Sequence, residues 1–378
     1  MDNPFLKPIT PASETVVDEN AKLFEAVGGK DLAEEYLSLV ADEQRPTRQK
    51  PTDIQDLAKR ARAQQEELLG AIAEKRVKEF FDGGLVRQFK QQIKSLTEID
   101  FLETDDDGQL NILGEDGQRY RAPTEAQVVA YFNAPERRAF YEKKVKQGFT
   151  RVLVTPFGTS MSQLAEKTRP ELLKYANYVD SGALQTLLDR NGAPLSVGEY
   201  VWVSLLDELD PRDGDENGVV YDAELINGHK LSPGRKKVDI IRDKREPFPG
   251  FRIQLLQDDL TILRGIGETS SFGRPAIETG KTPFEYMQLL QENPAYEGEH
   301  GLTPEDWLTL FMTHLHETDQ VIDDCANGVD SGCYLIACSL QWNLRLPAAF
   351  WRRETGVEIG GLDFTVPHDD YGIRVGVR

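Results

Sequence analysis

Residues 339–378 read SLQWNLRLPAAFWRRETGVEIGGLDFTVPHDDYGIRVGVR, and the fold is decided by what this stretch becomes. It holds two of the four tryptophans, Trp342 and Trp351, together with Phe350, Phe364 and Tyr371. Arg345, Arg352 and Arg353 stand among them, and Gly356, Gly360, Gly361 and Gly372 punctuate the run as loops do. Rigid aromatics beside arginine carry most of the contact energy in binding surfaces. At the very end Ile373, Val375 and Val377 alternate with polar or small residues, which predicts a final half-buried strand.

Upstream of this tail, Thr303 caps a helix expected over 304–323, with Trp307, Leu308, Phe311, Leu315 and Ile322 as its buried stripe. His314 and His316 fall on different faces of that helix, so they cannot share a metal as an i, i+4 pair would. A second helix is expected over 283–291. Short apolar runs predict strands at 152–155, 200–206, 219–221, 238–241, 251–256 and 262–263. Helices mixed with irregular strands and Gly/Pro loops give the fold class α+β.

The first third is different. Residues 1–20 are punctuated by Pro4, Pro8 and Pro11 and read as an extended arm. Helical periodicity then runs through 21–147, broken by Gly28-Gly29, by Pro46 and Pro51, and by Gly83-Gly84. A helix marked by Val86, Phe89, Ile93 and Leu96 follows, then a hairpin over 110–120 and more helix over 124–147. This mainly helical region reads as a bundle-like domain with a plain structural role, or with a role in self-association. The domain organisation expected is therefore an arm at 1–20, a helical region at 21–147 and a mixed domain at 148–378.

Composition excludes several partners. The net charge of −20 argues against duplex nucleic acid, which needs clustered Lys and Arg, and against an anionic membrane surface. No apolar run approaches the roughly 20 residues of a membrane helix. The first residues show no basic segment followed by an apolar one, so a cytoplasmic location is the expectation, with surface display by another route left open. Three cysteines, Cys325, Cys333 and Cys338, cannot all pair within one chain and fit reduced thiols.

Four stretches carry a resemblance. The ending GIRVGVR looks like the GFR-type terminal strand of the formylglycine-generating-enzyme branch of the C-type lectin fold. Gly148 opens GFTRVLVTPFG, Gly301 opens GLTPEDWL, and Arg345-Leu346-Pro347 precedes Phe350-Trp351-Arg352-Arg353. Together, over about 148–378, they resemble the variable proteins of diversity-generating retroelements. In that family a reverse transcriptase rewrites chosen codons near the 3′ end, and the fold displays the altered side chains to a ligand. The resemblance implies a non-catalytic, receptor-like protein with a C-type-lectin-like domain and a protein or glycan ligand. It places the variable, ligand-contacting positions at Phe350, Arg352, Arg353, Thr355, Val357, Asp363, Phe364, His368, Asp369 and Asp370. Trp342 and Trp351 would be supporting anchors or core residues. Loops accept such variation because the core beneath them is untouched.

Other motifs bear on metal, nucleotide and redox chemistry. Asp213, Asp215 and Asn217, with a glycine at position six and Glu224 at position twelve, fit a twelve-position calcium loop; the same run reads equally as a solvated hairpin turn. No other cofactor is required. Gly280-Lys281-Thr282 is not a phosphate loop, because Pro275 stands where that motif needs glycine. Cys333 and Cys338 match the Cys-x4-Cys spacing with which the formylglycine-generating enzyme holds copper, and the resemblance implies an oxidase as the enzymatic alternative. Their apolar neighbours fit a strand with two buried thiols instead. A purely structural or assembly protein is the third alternative. No Ser/His/Asp arrangement is legible.

Overall fold

The computed structural model describes residues 69–176, 202–203, 218–226, 230–262, 274–324, 331–340, 345–352, 356–363 and 365–378, with isolated positions before residue 69. The arm at 1–20 and the helices expected over 21–58 lie outside the described residues. The chain divides into two compact units, Met1–Lys78 and Glu79–Arg378. In the first, the described residues are helical.

In the second unit a π-helical turn, Phe80–Gly84, precedes helix α1 (Leu85–Glu98). Gly83 makes the kink, with φ at +126°, a conformation open to glycine at little cost. Strands β1 (Glu103–Thr104), β2 (Leu110–Leu113) and β3 (Arg119–Arg121) form a small antiparallel sheet that includes the hairpin expected over 110–120. Helices α2 (Glu125–Asn133) and α3 (Pro135–Lys146) replace the one helix expected over 124–147. Pro135 sits at the first turn of α3 and forces Ala134 into an extended conformation, ending α2. Then come β4 (Phe149–Thr155), α4 (Met161–Ala176) and the strands β5 (Trp202–Val203), β6 (Val219–Tyr221), β7 (Leu225–Ile226) and β8 (Lys230–Leu231).

Helix α5 (Lys237–Arg242) corrects the strand expected at 238–241. Lys237, Ile240 and Ile241 are its buried residues, a helical i, i+3, i+4 spacing that a four-residue apolar run cannot reveal. Strand β9 (Arg252–Gln257), helix α6 (Pro283–Glu292), strand β10 (Glu299–Gly301) and helix α7 (Pro304–Thr318) follow. Both helices start as their sequences dictate. Thr282 with Glu285, and Thr303 with Asp306, close reciprocal capping boxes, each with proline at the first turn. The chain ends with β11 (Gly332–Tyr334), β12 (Cys338–Leu340), β13 (Arg345–Arg352), β14 (Gly356–Asp363), β15 (Tyr371–Ile373) and β16 (Val375–Val377).

Two sheets organise the unit. One is antiparallel with order β10-β16-β9-β4, the other mixed with order β15-β11-β13-β14-β5. Helix α7 packs on strands of both, on β4 and on β13. Every α7 residue from Pro304 to Thr313 is buried, and Trp307, Phe311 and Trp351 stack in series with ring centroids 5.2 and 5.7 Å apart. The fold is α+β.

The boundary expected at 147/148 is displaced to 78/79. Helices α1 and α3 pack on β4, burying Phe89, Leu96, Tyr141 and Val145. Gln88 of α1 also takes the edge amide of Val152 on its side-chain oxygen at 2.9 Å. An exposed β4 edge would leave unpaired backbone groups, and the helices cover it. Residues 79–147 are thus one side of the mixed domain, not a separate bundle.

The last strand also differs from expectation. The sequence YGIRVGV supplies two short strands, β15 in the five-stranded sheet and β16 in the four-stranded one, divided at Arg374. All seven residues are buried, not half of them. Gly372 and Gly376 make this close packing workable. An added Cβ would stand 2.4 Å from Ile262 Cγ2 at Gly372, and 2.4 Å from Gln254 Oε1 at Gly376.

Candidate functional site

Strand β13 is the centre of the tail. It pairs with β11 on one side and along its length with β14 on the other, from Arg345↔Asp363 to Arg352↔Gly356. Because both faces of β13 are covered, residues 346–351 are all buried despite the alternation of a strand.

Burial places three of the expected positions in the core. Phe350 is 4 % exposed and sits edge-on to Tyr371; Trp351 and Val357 are fully buried. Trp351 stacks on Phe311 and donates its amide to the carbonyl of Asp323, so of the two roles weighed for it the core is the one it fills. Substitution at these positions would empty the core. Trp342, Arg353, Thr355 and Phe364 lie outside the described residues, as does the side chain of Arg352.

The other expected positions come together. Asp363, Asp369 and Asp370 are exposed and His368 is half-buried, all within the segment linking β14 to β15. Asp363 Oδ1 accepts the Thr365 amide at 2.7 Å and the Thr365 hydroxyl at 2.6 Å, which turns the chain off the strand. At the far end the Tyr371 amide donates to His368 O, the Gly332 amide to Asp370 O and the Gly280 amide to Tyr371 O. Beneath lies a relay of rings: His368 against Tyr371, Tyr371 against Tyr334, Tyr334 against Tyr286, with centroids 5.3 to 6.1 Å apart. Burial pushes the Tyr334 and Tyr286 phenols well above their ordinary range, so both stay neutral. The segment also exposes Thr365, Pro367 and Val366, the last at 43 %, which the sequence reading did not name.

Two buried ionic clusters support this tail. Arg374, between β15 and β16, pairs with Asp323 and donates to Leu260 O, while Trp307 Nε1 donates to Asp323 Oδ2 at 2.7 Å. In the second, Glu305 accepts from Lys237 Nζ at 2.9 Å and from the Tyr221 hydroxyl at 2.6 Å. Next to it Arg252 lies 3.7 Å from the Phe157 ring centre and pairs with Asp222, which also takes Arg378. Burial, then the charge of Arg378, depresses the His300 imidazole well below its usual value. A charged residue inside an apolar alternation, as Arg374 is in IRVGV, was the legible signal for the first cluster; the second brings together residues 30 to 156 positions apart and had none.

The remaining candidates are dispersed. Glu224 is exposed and its amide donates to Ser232, while Asp213, Asp215 and Asn217 lie outside the described residues. Cys333 and Cys338 are both buried but in different sheets. The Cys333 thiol donates to Tyr334 O, the Cys338 thiol to Leu335 O, and Cys338 alone adjoins the Glu305 cluster, where burial pushes its thiol well up. His316 sits between two carboxylates and His314 is half-buried apart from it, its pKa lowered to about 4 by burial. Among the described residues no helix is long and apolar enough to cross a membrane. No family model, curated protein or solved structure matches this chain.

Proposed function

We propose that the chain is a ligand-recognition protein whose residues 148–378 form a C-type-lectin-like domain of the formylglycine-generating-enzyme branch. On this reading it is the variable protein of a diversity-generating retroelement. The observation that carries the reading is the contrast within the tail. Asp363, residues 365–367, Asp369 and Asp370 are exposed, His368 is half-buried and both ends of the run are tied down by hydrogen bonds, whereas residues 346–351 of β13 and all of β15 and β16 are buried. Such a platform lets side chains change without unfolding what holds them. On this reading the diversifiable positions among the described residues are the expected Asp363, His368, Asp369 and Asp370, to which the exposure of Thr365 and Val366 adds two more. The ligand is a protein or a glycan bound by this face. The assembly alternative makes the same face dispensable.

A library randomised at those six positions, displayed and sorted on immobilised streptavidin as an arbitrary target, tests the reading. Folded binders arising from the library support it. A library that fails to fold, or folds and never binds, overturns it. An imperfect repeat of the last hundred-odd bases, differing at adenines and beside a reverse transcriptase gene, is the independent genetic test.

A further inference from the structure

A bend from outside the tail is built onto the exposed segment. In Glu278-Thr279-Gly280-Lys281 the first carbonyl and the last amide, which a β-turn would join to each other, both meet the Tyr286 hydroxyl. That hydroxyl donates to Glu278 O at 2.5 Å and accepts from the Lys281 amide at 3.4 Å. It has one proton to give, and Tyr371 O, 3.3 Å from the same oxygen, takes the Gly280 amide at 3.2 Å. Gly280 has φ at +84°, a conformation that glycine adopts without strain.

The bend lies directly against the tail. Thr279 packs on Gly372, where an added Cβ would stand 3.3 Å from Thr279 Cγ2. Asp369 Oδ1 is 3.6 Å from where Gly280 would carry a Cβ. All four residues of the bend are half-buried, and the side chains of Glu278 and Lys281 keep 26 % and 36 % of their surface in solvent.

Resting on the ligand-recognition reading, we propose that Glu278–Lys281 is a second, fixed part of the recognition face and that Tyr286 is the residue that positions it. Area decides the first point. A protein ligand covers about 800 Å² of each partner, some 20–30 residues. Six positions within a run of eight supply only a fraction of that, so a protein seated on them also covers what stands beside them. The bend is such a neighbour, in contact with Asp369 and hydrogen-bonded to Tyr371.

The second point follows from where the hydroxyl is held. Tyr286 is fully buried on α6, a helix fixed at its start by a capping box. A bend closed by a buried side chain on a rigid element has fewer alternatives than one closed by water. Removing the hydroxyl takes a hydrogen bond from both ends of the bend and leaves the aromatic ring in place.

The test uses the full chain and a panel of streptavidin-binding clones from the library randomised at the six tail positions. Affinity is measured in each clone with Lys281→Ala, with Tyr286→Phe, and with Lys94→Ala on α1 as the control. The first two should weaken most clones about fivefold or more, and the control should stay within about twofold. In the ligand-free chain, Tyr286→Phe should remain folded while hydrogen exchange at the Gly280 and Lys281 amides rises about tenfold. A Tyr286 that served stability alone would lower the melting temperature and leave affinities measured well below it unchanged. Clones that bind and are indifferent to both substitutions overturn the proposal and leave the ligand-recognition reading standing. A library without binders removes both. Unchanged exchange at Gly280 and Lys281 in Tyr286→Phe overturns the positioning role.

Discussion

Lys237 Nζ lies 2.9 Å from Glu305 Oε1, with the two side chains 4 % and 0 % exposed. The pair joins α5 to the first turn of α7, and the Tyr221 hydroxyl completes the arrangement at the same oxygen. Two ions taken out of water repay their desolvation only with such added hydrogen bonds. The pair thus specifies how α5 and β6 dock on α7 more than it stabilises the fold. Glu305→Ala should cost about 3–5 kcal/mol, because it takes the buried counter-charge from the Lys237 ammonium and the acceptor from the Tyr221 hydroxyl, leaving Lys237 with Thr159 O and the more distant Glu115. The double variant Lys237→Met/Glu305→Leu should recover most of that loss, as read from urea unfolding midpoints and slopes. If the single and double variants are equally unstable, the pair is not the source.

The same residue sets a pH dependence. Burial alone would raise the Glu305 carboxyl, but Lys237 and Tyr221 outweigh it and hold it below the ordinary carboxylate value. A depressed carboxylate contributes stability that is present above its unfolded pKa and lost as pH falls through the folded one. Unfolding curves of the wild type and Glu305→Gln should therefore be far apart at pH 7 and converge in acid. Parallel curves down to the acid limit would mean that Glu305 folds already protonated.

Within the tail, position decides the cost of substitution. Trp351→Ala empties a stack with Phe311 and should cost about 3–5 kcal/mol. Asp369→Ala, in the exposed segment, should change stability by no more than about 0.5 kcal/mol. Thermal unfolding of the two variants side by side separates a platform from a uniformly mobile tail, in which both would be mild.

What could be read beforehand follows physical reach. Caps are local, so Thr282 and Thr303 announced their helices, and the hairpin over 110–120 declared itself by its Asp-Gly turns. Periodicity misled where the run was short, as at Val238 to Ile241, and glycine punctuation misled at Gly356, Gly360 and Gly361, which lie within strand β14. The sequence spacing of Phe350 and Trp351 places one on each face, and alternation alone would put one of them outside. Only the covering of both faces, by α7 on one and by Tyr371 and its neighbours on the other, buries the pair. The boundary at 78/79 rested likewise on long-range packing of α1 and α3 against β4, for which no local signal exists.

The split between β15 and β16 leans on two glycines. At Gly372 an added methyl meets Ile262 Cγ2 at 2.4 Å, and at Gly376 it meets Gln254 Oε1 at 2.4 Å and Leu256 Cδ2 at 3.0 Å. Neither φ is positive, so the penalty is overpacking and not backbone strain. Gly372→Ala and Gly376→Ala should each lose about 1–3 kcal/mol by urea unfolding. Pairing Gly376→Ala with Gln254→Ala, which withdraws the clashing amide, should return part of the loss, whereas Gln254→Ala should return nothing to Gly372→Ala.

The two described thiols make the last prediction. Cys333 belongs to β11, registered against Ala349 and Gly372, and Cys338 to β12, registered against Tyr221. Cys333 already donates to Tyr334 O and Cys338 to Leu335 O, and Cys338 is further held protonated by burial and by Glu305. A cuprous site needs two thiolates converging on one ion, and these two report to different surroundings. In a Cys325→Ser background, which leaves only this pair, maleimide should label neither thiol in the native protein and both after unfolding. The same variant should take up no stoichiometric copper(I) while folded. Rapid native labelling, or one bound copper lost on Cys333→Ser, would reinstate the oxidase reading over the ligand-binding one.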